Sequence, residues 1–227
     1  MNLYFVRHGL ARHNLEHPEE IPVDPVFADI EPYDTSLTPQ GEEQADLCGK
    51  RLAKIRFDAI LVSPTHRTLS TAAGIARNQK DPPALEILPD LVECGTRKFD
   101  LMPQHLLDRV YPNVLPADGK TISFDEPDGD GQHAMWLRAC RVVDYVKSRF
   151  KGEENVLLVS HGAFMNQYLV EAFLELPEDL AMRYCLGAEN CCITKLHILP
   201  DRSKFILMAL DETGHLGDRI SRDPFDL

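Results

Sequence analysis

Hydrophobic and polar positions in this chain follow two periods, one suited to strands and one to helices. Leu3-Tyr4-Phe5-Val6 is a short apolar run that reads as a buried strand. "DAILVS" (58–63), "LEIL" (85–88) and "NVLLVS" (155–160) are runs of the same kind. "CCITKLHIL" and "KFILMAL" read as a last pair of strands, joined as a hairpin around "PDRS". Between the strands the period lengthens. Ala45, Cys48, Leu52 and Ile55 recur at steps of 3, 4 and 3, and Thr38 with Pro39 supplies a cap and first position for that helix. A second helix follows in "THRTLSTAAGIARN", with Leu69, Ala72, Ala73 and Ala76 inward. Trp136, Ala139, Val143, Val146 and Phe150 mark a third, and "GAFMNQYLVEAFLEL" a fourth. Strands alternating with helices predict an α/β fold with a mostly parallel sheet covered on both faces.

Two segments break the pattern. Residues 15–36 hold four prolines and seven carboxylates with no lysine or arginine, which predicts an irregular surface excursion. Residues 94–133 are rich in Gly, Pro and Asp in places and read as loop with short helical pieces. No stretch has the composition of a linker between two cores, so 1–227 is expected to form a single domain with excursions at 15–36 and 94–133.

Three predicted strands end in polar residues just before a turn or helix: Arg7-His8-Gly9, Ser63-Pro64 with Arg67 one turn later, and Ser160-His161-Gly162. Ligands of open α/β sheets bind outside the carboxyl ends of parallel strands. Arg7, His8, Arg67 and His161 can therefore meet at one place, where helix N-termini add N–H groups. Two guanidiniums and two imidazoles suit a dianionic tetrahedral group, because the planar fork of arginine pairs with two phosphate oxygens at once. Each of these residues alone is as readily structural.

Charge sharpens this picture. The net charge is −12 and the pI about 5.1, which disfavours nucleic acid and anionic membrane as partners. A phosphate site here must be a local basic pocket in an acidic protein. The chain is 44% hydrophobic and 26% charged, as a globular core requires, and no run approaches the length that spans a bilayer. Six cysteines without a metal-type pair read as reduced thiols of a cytoplasmic protein. "GKT" at 119–121 lacks the upstream glycine of a nucleotide-binding loop, since position 114 is Val. No Cys is followed at the sixth position by Arg, and GxSxG is absent. "HNLEH" fits a zinc-protease pattern, but Pro18 ends the helix it needs; no metal is expected.

"RHG" at a strand end, "LTPQGEEQA", "SPTHRTLSTA" and "VSHG" occur in that order. This set resembles the histidine phosphatase superfamily, phosphoglycerate-mutase-like branch, with weaker echoes at "ENCCITKL" and "DETGHL". The resemblance implies a three-layer α/β sandwich. It also implies that His8 is a nucleophile forming a phosphohistidine, that Arg7, Arg67 and His161 complete the phosphate pocket with Gly162, and that Asn14 contacts phosphate. The family's acid Glu falls at Glu93, with Glu86 and Asp90 as rivals. No cofactor is implied.

Cys94-Gly95 stands where mutases of the family commonly have Arg-Tyr after the acid, and Leu10 where they often have Glu. The expected activity is therefore metal-independent hydrolysis of a small phosphomonoester. A phosphoglycerate mutase and a non-catalytic phosphoryl-binding module are the alternatives. Arg12, Arg97 and Lys98 are candidates for a second anionic group. Both excursions, with their carboxylates, are expected to flank the mouth of the site and to repel highly anionic substrates. Oligomeric state is not legible.

Overall fold

A computed structural model describes residues 1–30, 34–94, 103–116, 131–181, 183, 186–201 and 204–221. Among these residues seven strands form one sheet: β1 (Asn2–Arg7), β2 (Ala59–Val62), β3 (Leu85–Ile87), β4 (Leu115–Pro116), β5 (Asn155–Ser160), β6 (Ile193–Ile198) and β7 (Phe205–Glu212). Their order is β4-β3-β2-β5-β1-β6-β7, parallel from β4 to β1; β6 runs antiparallel to β1, and β7 antiparallel to β6. The six apolar runs thus become strands as expected, and the last two of them form the expected hairpin. β4 lies in what the sequence presents as loop, because two residues carry no period to detect.

Helices cover both faces, giving three layers. Tyr4 and Val6 of β1 pack with α1 (Pro39–Leu52) and α2 (His66–Ala76), and with Leu106 of α3 (Gln104–Val110). Leu3 and Phe5 pack on the other side with α4 (Gln132–Arg149) and the helix after β5. That helix runs from α5 (Gly162–Phe164) through a π-helical turn (Met165–Leu169) into α6 (Val170–Phe173); a short α7 (Glu178–Ala181) follows. Alternate residues of β1 face opposite layers, which is why its apolar run is unbroken. The inward face of α4 is as predicted. On α2 it is Leu69, Ala72 and Ile75 that are buried, while Ala73 and Ala76 lie half-buried at its edge.

Thr38 caps α1 by accepting from Gly41 N–H at 3.0 Å, and Pro39 takes the first position. Gly41 has a second reason to be glycine. A Cβ there would lie 2.1 Å from the Leu10 carbonyl oxygen, and a Cβ on Gly9 would lie 2.5 Å from that of Gly41. Two glycines therefore let the exit of β1 and the first turn of α1 touch backbone to backbone. No helix among the described residues is long and apolar enough to cross a membrane. Most of the 94–133 excursion, including Gly95, Arg97, Lys98 and the "GKT" tripeptide, lies outside the described residues.

Candidate active site

Strand register assembles the site. Arg7 pairs with Ser160 across β1 and β5, and Val62 pairs with Val159 across β2 and β5. Ser63 N–H then donates to Val159 O at 3.0 Å, and His8 N–H to Ser160 O at 3.0 Å. Three neighbouring strands so end level with one another, and the residue after each points into the same space.

The His8 and His161 rings lie with centroids 5.3 Å apart, at 64° to one another. His8 is 2% exposed, and its Nδ1 sits 2.8 Å from the Gly9 carbonyl oxygen. A carbonyl oxygen only accepts, so Nδ1 carries the proton and Nε2 of the neutral ring keeps its lone pair. Burial, then the nearby Arg67 and Arg7 guanidiniums, hold the His8 pKa well below that of a free imidazole. The ring is neutral at pH 7.

His161 is buried and braced at both nitrogens. Nδ1 lies 3.2 Å from Nη2 of Arg67, which only donates, so Nε2 carries the proton and donates to Ser63 Oγ at 2.8 Å. Burial and then Arg67 lower its pKa too. Arg67 in turn bonds Asp34 through Nη1. Its buried Nε has no hydrogen-bond partner among the described residues. Arg7 donates through Nη1 to the Ala188 carbonyl. The absence of a side chain at Gly162 makes room for Arg7, since a Cβ there would lie 3.1 Å from its Nε.

Glu93 belongs to the same cluster. Its Oε1 accepts from Phe164 N–H and Cys94 N–H, each at 2.8 Å, and Oε2 accepts from Ala163 N–H at 3.2 Å. The carboxylate is docked on the first turn of the helix that begins beside His161. Its rivals are engaged elsewhere: Glu86 is paired with Arg149 and Asp90 with Arg141.

Residues of the segment 11–36 take places that the sequence does not foretell. The Asn14 amide serves its own turn, with Oδ1 accepting from Ala11 N–H at 3.1 Å and Nδ2 donating to His13 Nε2 at 3.2 Å. His13 is the residue that faces the site, its ring centroid 5.5 Å from that of His8. The residue is exposed at its outer edge, yet the desolvation it does meet, then Arg67 and Arg7, depress its pKa to about 4, so it too is neutral at pH 7. His13 lies in one 3₁₀ turn (Arg12–Asn14) and His17 just ahead of the next (Pro18–Glu20), so the two do not share a helix face as a zinc-protease pair must. No group of three or more His, Cys, Asp and Glu among the described residues is placed to hold a metal.

Asp34 is the larger correction. It was expected among carboxylates that repel anions at the mouth, yet it is 4% exposed and bonds Arg67 and the His66 N–H. Burial raises its pKa to about 6, against the pull of Arg67.

The two weak echoes in the sequence also have positions here. Asn190 Nδ2 donates to His8 O at 2.9 Å, and Cys191 N–H to Arg7 O at 3.1 Å from a left-handed backbone conformation (φ 56°). His215 Nε2 lies 3.1 Å from Cys191 O. These segments grip the end of β1 from the side opposite His161.

A model of the histidine phosphatase superfamily, branch 1, matches residues 3–211. A broad-specificity phosphatase from Saccharomyces cerevisiae is 25% identical over 223 residues, covering 96% of this chain and 88% of that protein. An adenosylcobalamin/alpha-ribazole phosphatase from Escherichia coli is 25% identical over 187 residues, 79% of this chain and 82% of that protein. Among solved structures, a putative alpha-ribazole-5'-P phosphatase from Escherichia coli has a TM-score of 0.62 at 21% identity, covering 93% of this chain and 97% of that one. The last likeness concerns the fold, in agreement with the layers described above. Taken with the match over 3–211, it leaves one conclusion: this chain belongs to the histidine phosphatase superfamily.

Proposed function

We propose that residues 1–227 form one domain that hydrolyses a small phosphomonoester, without a metal ion, through a phosphohistidine at His8. The observation that carries this reading is the state of His8: buried, held neutral, protonated at Nδ1 by its bond to Gly9, with the Nε2 lone pair free. Nε2 attacks phosphorus, the N–P bond forms, and the bond to the leaving oxygen breaks. Arg7 and Arg67 stabilise charge on the phosphoryl oxygens, with the unpartnered Nε of Arg67 an open donor. His161, braced by Ser63, sets the position of Arg67. Glu93, once protonated, gives that proton to the leaving oxygen. The resulting carboxylate takes a proton from water, the hydroxide attacks phosphorus, the N–P bond breaks, and phosphate leaves.

The named activities of the relatives support hydrolysis of phosphomonoesters. So does a neighbour in fold, a phosphoserine phosphatase from Entamoeba histolytica solved with 3-phosphoglyceric acid. Exposed Glu16, Glu19, Glu20, Asp24 and Asp29 still favour a substrate of modest charge.

The test is hydrolysis of p-nitrophenyl phosphate in excess EDTA. Turnover is expected to persist, to vanish in His8→Ala, and to leave an acid-labile phosphoryl group on the His8 peptide after quenching. Loss of activity with EDTA, or full activity in His8→Ala, overturns the proposal. Turnover of phosphoglycerate with added 2,3-bisphosphoglycerate well above hydrolysis would establish a mutase instead.

A further inference from the structure

Arg138 is a cation where α4 has no obvious use for one. It is 7% exposed, on the buried face of the helix. Its hydrogen-bond partners are neutral. Nη1 donates to Val92 O at 2.6 Å and more weakly to Asp90 O at 3.3 Å. Nη2 reaches Met135 Sδ at 2.8 Å and Glu93 O at 3.4 Å. The guanidinium lies over the Phe164 ring, 4.1 Å from its centroid. Burying a guanidinium without a directly bonded carboxylate is costly, and an apolar side chain would fill this position more cheaply.

The contacts explain what it does there. The segment 89–94 has one short 3₁₀ turn, Pro89–Leu91, and no ladder partners to fix Val92 and Glu93. Arg138 supplies donors to their carbonyls. It also stacks on Phe164, whose N–H donates to Glu93 Oε1 at 2.8 Å. One side chain therefore fixes both the backbone that carries Glu93 and the helix turn on which its carboxylate docks.

We propose that Arg138 is the positioning residue for Glu93, holding its carboxyl group in line with the leaving oxygen. The inference rests on the reading of Glu93 as proton donor. A proton donor displaced by about 1 Å loses on the order of 100-fold in rate.

The test compares kcat/KM for two substrates in Arg138→Met, Arg138→Lys and Glu93→Gln. This parameter reports steps up to phosphoryl transfer, before the phosphoenzyme is hydrolysed. p-Nitrophenolate leaves without protonation, whereas glycerol 2-phosphate needs a donor. Arg138→Met is expected to lose roughly 10- to 100-fold on glycerol 2-phosphate and far less on p-nitrophenyl phosphate. Arg138→Lys, which keeps the charge but not the two-pronged grip, should fall between.

Equal losses on both substrates would assign Arg138 a purely structural role and overturn the inference, as would no loss on either. If Arg138→Met does not fold, the same comparison in Arg138→Lys decides. Glu93→Gln separates the two readings. If it discriminates between substrates and the Arg138 variants do not, only the positioning role fails; if it does not discriminate, the assignment of Glu93 itself fails.

Discussion

Asp34 shows how one residue can reverse its meaning between sequence and structure. In the sequence it is the last of seven carboxylates in a loop. In the fold it is buried against Arg67 and the start of α2. With a pKa of about 6, it is ionised at pH 7 and holds the guanidinium as a charged partner. Below pH 6 it becomes neutral and that hold weakens. Asp34→Asn is therefore expected to raise KM for p-nitrophenyl phosphate by roughly 10-fold at pH 7.5, the worth of one charged hydrogen bond. The gap to wild type should close as pH falls below 6. A ratio of kcat/KM values that stays constant from pH 5 to 8 would show that the charge of Asp34 is immaterial.

At the scale of elements, the site depends on close approach between the end of β1 and the start of α1. The Gly41 contact with Leu10 is backbone against backbone, so neither side can give by turning a side chain. Gly41→Ala is expected to cost roughly 1–3 kcal/mol in denaturant unfolding. It should also displace Gly9, whose carbonyl sets the His8 tautomer, and so lower activity in the fraction that remains folded. Unchanged stability and rate would mean that the contact is looser than described. The cap of α1 was readable from Thr38 and Pro39, because capping is local. The reason for Gly41 was not, because it lies 31 residues away at Leu10.

The same division of local from distant runs through the whole molecule. β1, β2, β5 and the long helices were legible because each carries its own period. Arg7, His8, Arg67 and His161 were legible because polar residues ending apolar strands stand out against the pattern. Arg138, His13 and Asn190 were not, since each matters through a partner far along the chain or in an irregular turn. Arg138 sits in a strongly periodic helix, where a single charged residue reads as part of a solvated face.

Burial of neutral histidines also has a consequence for the stability of the whole fold. The folded pKa of His8 lies well below 6.5, so under mild acid the unfolded chain binds a proton that the native state refuses. The contribution of His8 is therefore present above pH 6.5 and is lost as pH falls from there towards its folded pKa. Relative to wild type, His8→Asn should gain up to about 1.4 kcal/mol per pH unit across that window. Urea titrations at pH 7.5, 6 and 5 measure this. A difference that does not vary with pH would mean that His8 protonates freely in the fold.

β1 lies between β5 and β6, which come from the last third of the chain. During translation it leaves the ribosome before either neighbour has been made. The strand that ends at His8 thus has neither of its neighbours for most of synthesis. A nascent chain stopped short of β6 has the histidine but lacks the segment that clamps it, so the cluster of Arg7, His8 and His161 is completed late in biogenesis.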